Sequence, residues 1–126
     1  MHSLAIGLAL LLALGIIVVG IFYLASPRAA TGSFGLPLPE AGANMDWWLR
    51  LKGVRDIASG LTVLALMAWG TPRMVGVILL AEAFIPFGDM SVVLAAKGST
   101  RKALGMHAVT AAVMVVTALL LMMGVR

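Results

Sequence analysis

Five ionisable residues lie inside apolar stretches of this sequence, where an ionisable side chain is costly. They are Arg55, Asp56, Glu82, Asp89 and His107. A charge at the centre of a bilayer costs at least about 2.5–3.5 kcal/mol, so residues of this kind are candidates for function. Two carboxylates in unlike surroundings can act as proton donor and proton acceptor, and histidine titrates nearest to neutral pH. These residue types therefore indicate acid–base chemistry.

The polar residues of each apolar stretch recur at helical spacing, so each predicted helix has one polar face. Lipid rejects such faces, so we expect them to point inward and to meet. With a helix rise of about 1.5 Å per residue, two acids and the histidine lie at similar depths, roughly 8–12 Å from one membrane side. The fifth ionisable residue, Glu82, lies deeper. The expected inward positions are Lys52, Arg55, Asp56 and Ser59, then Glu82 and Asp89, then His107 and Thr110.

The composition requires a membrane. Of the 126 residues, 62% are hydrophobic and 11% are charged, whereas soluble domains are about half apolar and about a quarter charged. Disorder is excluded by the same values, because disordered chains combine low hydrophobicity with high charge. The net charge of +4 comes from basic residues that lie mostly at the ends of apolar blocks, which favours a topological role over nucleic-acid binding. There is no cysteine.

Four apolar blocks predict an all-α, four-helix transmembrane bundle in a single domain of residues 1–126. The predicted helices cover about 4–25, 47–69, 73–96 and 103–125. Residues 26–46 are rich in proline and glycine, which predicts a long first loop. The first block lacks a basic leading segment and its apolar run is too long for a signal peptide, so we expect a membrane-spanning helix.

The basic residues predict the orientation of this bundle. Four spans put both termini on one side, and the first and third loops on the other. Those two loops hold Arg28, Lys97, Arg101 and Lys102, so the positive-inside rule predicts that they are cytoplasmic. The location that we expect is a bacterial inner membrane, with both termini outside.

Three interpretations of the ionisable cluster stay open at this point. The first is a structural ion-pair network, with Arg55 paired to Asp89 and His107 paired to Asp56 or Glu82. The second is an acid–base pocket, and the third is a path for protons or ions. The residues lack the spacing that is diagnostic of a metal site, and no phosphate-binding glycine loop occurs, so we expect neither a metal nor a cofactor.

Several short motifs resemble a family of four-helix membrane proteins classed as a domain of unknown function. The run from Lys52 to Gly60, KGVRDIASG, resembles the family's R/K-G-x-R-D-x-x-x-G signature. An acid followed by Pro86 and Asp89, the Lys97-Gly98 turn, and the His107-Ala108-Val109-Thr110-Ala111 element are also similar, although glycine is expected at Ala108. The resemblance implies a bundle broadly like the DoxX-like membrane proteins, with motifs centred on Arg55, Asp56, Asp89 and His107. It implies no established reaction.

The leading hypothesis is a membrane-embedded isomerase or cyclase that moves protons on a lipophilic small molecule. Asp56 and Asp89 serve as the acid–base pair, Arg55 is their electrostatic partner, and His107 is a shuttle or an orienting group. The alternatives are a proton-coupled transporter that uses Glu82, and a non-catalytic subunit of a membrane complex. The expected partners are membrane lipid and the lipophilic ligand, with a homo-oligomer possible and no nucleic acid. The expected substrate contacts are Trp47, Trp48, Ser59, Phe87 and Thr110.

Overall fold

A computed structural model describes residues 2–38, 40, 42 and 44–124, and the elements in this part of the chain are all helical. Two helices are interrupted, one by a break and one by a π-helical segment. The elements are α1 (His2–Ala25), α2 (Pro27–Phe34), α3 (Met45–Trp69), α4 (Pro72–Glu82), α5 (Phe84–Ala95), α6 (Thr100–Lys102), the π-helical segment (Ala103–Ala108) and α7 (Val109–Met122).

Within the described residues, three helical stretches are long and apolar enough to cross a bilayer. They are Ser3–Ala25, Pro72–Ala95 and Thr100–Met122. Each has 23 or 24 residues, and about 20 are enough to span the hydrocarbon core. The fold is therefore that of a helical membrane protein. Helix α3 has a comparable length of 25 residues, but its first half is much richer in charge.

Helix α3 packs closely against α1 through glycine. A Cβ atom added to Gly53 would lie 2.6 Å from the carbonyl oxygen of Gly20, and one added to Gly60 would lie 2.5 Å from that of Ala13. On each helix the two contacts are seven residues apart, and the residue numbers rise along α3 while they fall along α1. The helices are therefore antiparallel and keep one register over two turns. Only residues without a side chain let two backbones approach this closely.

The apolar core lies at one end of the bundle. It joins the first half of α1, the second half of α3, α4 and the second half of α7. At the opposite end α1 stays with α3, while α5 packs on the π-helical segment. The two pairs diverge there, and α2 lies across them. The buried core residues are Ala5, Ala9, Ala13, Val63, Val75, Leu79, Ala83, Met114, Ala118 and Leu121.

The predicted first loop contains a helix, which is a difference from the sequence-based expectation. Pro27 occupies the first turn of α2, where its fixed φ suits a helix start, and Gly35 ends the helix with a φ of 109°. The proline and glycine that indicated a loop thus mark the two ends of a helix. Gly32 lies inside this helix and is tolerated at a small cost.

Pro86 divides the predicted third helix into two helices. Helix α4 ends at Glu82 and α5 begins at Phe84. Proline has no N–H to bond the carbonyl of Glu82, and its ring crowds that carbonyl. The fourth predicted helix also differs from a regular one, because it opens with the π-helical turn from Ala103 to Ala108.

Candidate functional site

A cavity of about 360 Å³ lies between the two diverging helix pairs. Its walls towards the core are apolar, with Leu12, Ile16, Val63, Leu79 and Met114 among the lining residues. Its polar residues come from every surrounding element. They are Tyr23 of α1, Ser33 of α2, Lys52, Asp56 and Ser59 of α3, Glu82 of α4, Asp89 of α5, His107 of the π-helical segment and Thr110 of α7.

One side of the polar end is built around the ammonium group of Lys52. Its Nζ lies 2.6 Å from Oδ2 of Asp56, one helical turn further along α3. The same Nζ lies 4.7 Å from the centre of the Tyr23 ring and 5.3 Å from that of Phe34. Both rings are within the range of cation–π attraction. Lys52 and Asp56 thus form an ion pair at the cavity wall.

The opposite side is built around the imidazole of His107. Its Nε2 lies 2.9 Å from the carbonyl oxygen of Phe34, and its Nδ1 lies 3.9 Å from Oδ2 of Asp89. A carbonyl oxygen only accepts, so Nε2 carries a hydrogen and donates it. In the neutral ring, Nδ1 then keeps its lone pair and faces the Asp89 carboxyl group. This pair is placed to accept a proton and return it.

The end of α2 holds Phe34 over the cavity. The Ser99 backbone N–H donates to the carbonyl of Gly35 at 2.8 Å, and the Lys102 ammonium donates to the carbonyl of Gly32 at 2.5 Å. The rings of Phe34 and His107 are tilted by 57° with centroids 4.6 Å apart. Helix α2 therefore closes the polar end of the cavity and orients the imidazole.

The deeper polar residues are Ser59, Glu82 and Thr110, which also line the cavity. Among the described residues, Glu82 forms no ion pair within 4 Å, in contrast to Asp56 and Asp89. In the same part of the chain, the acidic and histidine side chains form no group of three that could hold a metal ion. The cavity thus combines two partnered carboxylates with one that has no ionic partner.

Four residues expected at the site lie elsewhere. Arg55 is exposed and does not line the cavity, and the cation beside Asp56 is Lys52. The ion pairs expected for Arg55 with Asp89, and for His107 with Asp56 or Glu82, are replaced by Lys52–Asp56 and His107–Asp89. Trp47, Trp48 and Phe87 are also exposed and do not line the cavity. Their rings point away because they lie on the outer faces of α3 and α5.

Two site residues, Tyr23 and Phe34, were not predicted from the sequence, and Lys52 was expected on the inward helix face without a role at the site. Lys52 precedes Asp56 by four residues, a spacing that places the two side chains on one helix face. Its position near a helix end favoured a topological role instead. Tyr23 belongs to a helix that is otherwise apolar, and Phe34 belongs to the segment predicted as loop. Neither carries a local signal for a place in the cavity.

The fold and the cavity define a helical membrane protein with a polar internal site. The chain belongs to the family described as a domain of unknown function (DUF4267), whose profile matches residues 13–121. The matched region contains every polar residue of the cavity. No curated protein and no solved structure is significantly similar to the chain. The further likeness to DoxX-like proteins stays a prediction.

Proposed function

We propose that this protein is a membrane-embedded acid–base enzyme, an isomerase or cyclase, that acts on a lipophilic small molecule. The observation that carries the proposal is the His107–Asp89 pair, whose Nδ1 and Oδ2 face each other at 3.9 Å on the wall of a cavity that is otherwise mainly apolar. A site of this kind binds an apolar body and handles protons at one end of it. Apolar walls and a proton-transferring pair are both needed for proton transfer on a lipid-soluble substrate.

The reaction needs no second reactant. A base takes a proton from a C–H bond next to a carbonyl or an alkene, the double bond shifts, and the same pair returns a proton to another carbon. His107 and Asp89 serve as base and acid, and the Phe34 carbonyl holds the imidazole in the required tautomer. The Lys52 ammonium, fixed by Asp56, stabilises negative charge that develops on a substrate oxygen. Lys52 takes the place that the sequence suggested for Arg55.

The proposal includes a four-span bundle in which α3 crosses the membrane with the other helices. Its support is the register of α3 against α1, which places Asp56 level with Ile17. The midpoint of Ser3–Ala25 is Leu14, so Asp56 lies only about 5 Å from mid-membrane at about 1.5 Å per residue. The cations that flank the polar end, including Lys97 and Lys102, then lie on the cytoplasmic side of a bacterial inner membrane.

Introduced cysteines test this topology without background, because the chain has none. Glu40→Cys and Thr100→Cys lie in or next to the first and third loops, and Thr71→Cys lies between α3 and α4. In intact cells, we expect a membrane-impermeant maleimide to label Thr71→Cys only. Labelling of Glu40→Cys and Thr71→Cys from the same side would contradict a crossing of α3.

The catalytic proposal is tested by hydrogen exchange with the solvent. Proton transfer at carbon exchanges substrate hydrogen for deuterium in deuterated water, whatever the identity of the substrate. Membranes that contain the protein are incubated in deuterated water, and extracted lipophiles are compared by mass spectrometry. We expect a lipophile that gains deuterium with the wild-type protein and not with Asp89→Asn or His107→Gln.

The matched control is Asp46→Asn. Asp46 pairs with Arg28 at 2.9 Å and does not line the cavity, so this variant should retain exchange. If wild-type membranes exchange no lipophile above membranes without the protein, the proposed activity is wrong. The same conclusion follows if Asp89→Asn retains full exchange while its folding is unchanged.

A second candidate is a proton-coupled carrier. It is favoured by Glu82, whose carboxyl group forms no ion pair within 4 Å among the described residues. A carboxyl group deep in the membrane can bind and release a proton as a coupling step. In proteoliposomes, this function predicts proton uptake that is lost in Glu82→Gln and retained in Asp89→Asn. The enzyme hypothesis predicts no proton uptake into these proteoliposomes.

A further inference from the structure

The cavity reaches the protein surface on one side, within the depth of the membrane. Leu11, Gly15 and Val19 of α1 line the cavity and are also exposed. On the facing side, Met106 of the π-helical segment and Thr110 of α7 also line the cavity and are exposed. Between these two groups of exposed residues, the cavity opens onto the lipid-facing surface and is not covered by a described helix.

The packing of the neighbouring helices explains why the opening is there. On α1 the face around Ala13 and Gly20 contacts α3, and Leu11 and Gly15 lie at the edge away from that contact. On α7 the backbone of Ala118 approaches Gly76 of α4, which leaves the edge with Thr110 free. Helices α1 and α7 converge in the core and separate towards the polar end, so these two free edges frame a gap.

The α3 wall of the cavity is closed by comparison. Its lining residues are all buried or half-buried, whereas every residue named at the gap is exposed. The α3 residues that line the cavity are Lys52, Asp56, Ser59 and Val63. The polar end is covered by Phe34 of α2. A molecule dissolved in the bilayer can therefore reach the cavity between α1 and α7.

We propose that this gap is a lateral portal, through which a neutral, lipid-dissolved molecule with a single carbonyl or hydroxyl group enters the cavity. The inference deepens the proposed function and rests on it for the identification of the polar end. A charged molecule would have to enter at membrane depth at a high cost. A volume of about 360 Å³ is at the lower end of the roughly 300–1,000 Å³ of small-molecule sites. It holds a small lipophile and excludes a whole phospholipid.

Gly15 is the residue that keeps the portal open. A Cβ atom added there would meet no heavy atom within 4 Å, so a larger side chain extends into the gap without a clash inside the protein. Gly7 offers a matched control on the same helix. It is also exposed with nothing within 4 Å of an added Cβ, and it does not line the cavity.

Photolabelling tests the portal. The full chain is placed in phosphatidylcholine vesicles with a medium-chain alkyl ketone that carries a diazirine, and labelled residues are mapped by mass spectrometry. In the wild type we expect label on cavity residues such as Glu82, Asp89 and Met114. In Gly15→Phe we expect the rate at which cavity labelling builds up after mixing to fall about tenfold or more, a factor for which an added barrier of about 1.4 kcal/mol is enough. Gly7→Phe should label like the wild type.

The outcomes separate the portal from the catalytic proposal. Undiminished cavity labelling in Gly15→Phe, or no cavity labelling in the wild type, overturns the portal. Asp89→Asn leaves the gap intact and should keep wild-type labelling while it loses deuterium exchange. Labelling that depends on Gly15 without any exchange would leave the portal standing and would refute the enzyme. Thermal unfolding of the two phenylalanine variants shows whether each is folded.

Discussion

The Nε2 atom of His107 lies 2.9 Å from the backbone carbonyl oxygen of Phe34, a residue 73 positions earlier in the chain. This contact ties helix α2 to the imidazole on the cavity wall. Because the acceptor is a carbonyl, it selects the tautomer in which Nε2 carries the hydrogen. In that tautomer Nδ1 carries no hydrogen, and it lies 3.9 Å from Oδ2 of Asp89.

The first prediction concerns this tautomer. In protein with ¹⁵N-labelled histidine, we expect the neutral His107 ring to show a protonated Nε2 and an unprotonated Nδ1. Nitrogen chemical shifts distinguish the two forms directly. A signal from a neutral ring protonated at Nδ1 would mean that the Phe34 carbonyl does not orient the imidazole.

The second prediction concerns the cation beside Asp56. Lys52→Met leaves a buried carboxylate without its ionic partner, and hydrogen bonds to charged groups contribute roughly 1.5–3 kcal/mol. We expect a loss of stability of that order, measured as thermal unfolding in detergent by circular dichroism. The matched control is Arg55→Met, which removes an exposed cation three residues away on the same helix and should change stability by less than about 0.5 kcal/mol. Equal losses in the two variants would contradict the assignment of Lys52.

The third prediction concerns the contact between α1 and α3. In Gly53→Ala the new methyl group would be 2.6 Å from the Gly20 carbonyl oxygen, so the helices must separate. Overpacking of this kind costs roughly 1–3 kcal/mol. Gly7→Ala adds the same methyl group where nothing lies within 4 Å, and should be neutral or slightly stabilising. Thermal unfolding of both variants is the measurement, and a stable Gly53→Ala protein would contradict the close approach.

The fourth prediction concerns the attachment of α2. A Cβ atom on Gly98 would collide with the Gly35 carbonyl oxygen, whereas one on Gly105 would meet nothing within 4 Å. In Gly98→Ala we therefore expect faster amide hydrogen exchange across Pro27–Phe34, because the end of α2 is displaced. Gly105→Ala should leave this exchange unchanged. Wild-type protection in Gly98→Ala would show that α2 is held by other contacts.

The sequence predicted the helical membrane class and the meeting of several polar residues. Asp56, Glu82, Asp89, His107, Ser59 and Thr110 lie on three predicted helices and line one cavity in the structure. Their meeting could be predicted from the sequence because the free-energy cost of polar groups in lipid forces polar helix faces inward. The argument needs only the position of each residue on its helix and its approximate depth.

The choice between Lys52 and Arg55 could not be made from the same pattern. Both residues fit a helical repeat with Ser59. The choice is made by the packing of Gly53 and Gly60 on α1, which turns the helix face with Lys52 and Asp56 towards the cavity and leaves Arg55 outside. That packing depends on a second helix, so it has no counterpart in the local sequence.

The same limit explains α2 and the π-helical turn. Pro27 and Gly35 are compatible with a loop and with the two ends of a helix, and contacts of Phe34 and Gly35 with residues 60 or more positions away favour the helix. The π-helical turn around His107 has no sequence mark comparable to proline. Such turns recur at functional sites, and here one carries the imidazole.

The separation of the apolar core from the polar cavity along the same helices has a consequence for how this scaffold can change. Residues such as Val75, Ala118 and Leu121 secure the bundle at one end and do not line the cavity, so this packing does not depend on the partly exposed residues at the other end. Substitutions at Ser59, Ile85 or Thr110 can therefore reshape the chamber while the anchoring end stays intact. A bundle organised in this way is suited to acquire new ligands by a few exchanges in one half, and it offers protein engineers a small membrane scaffold whose binding chamber is adjustable.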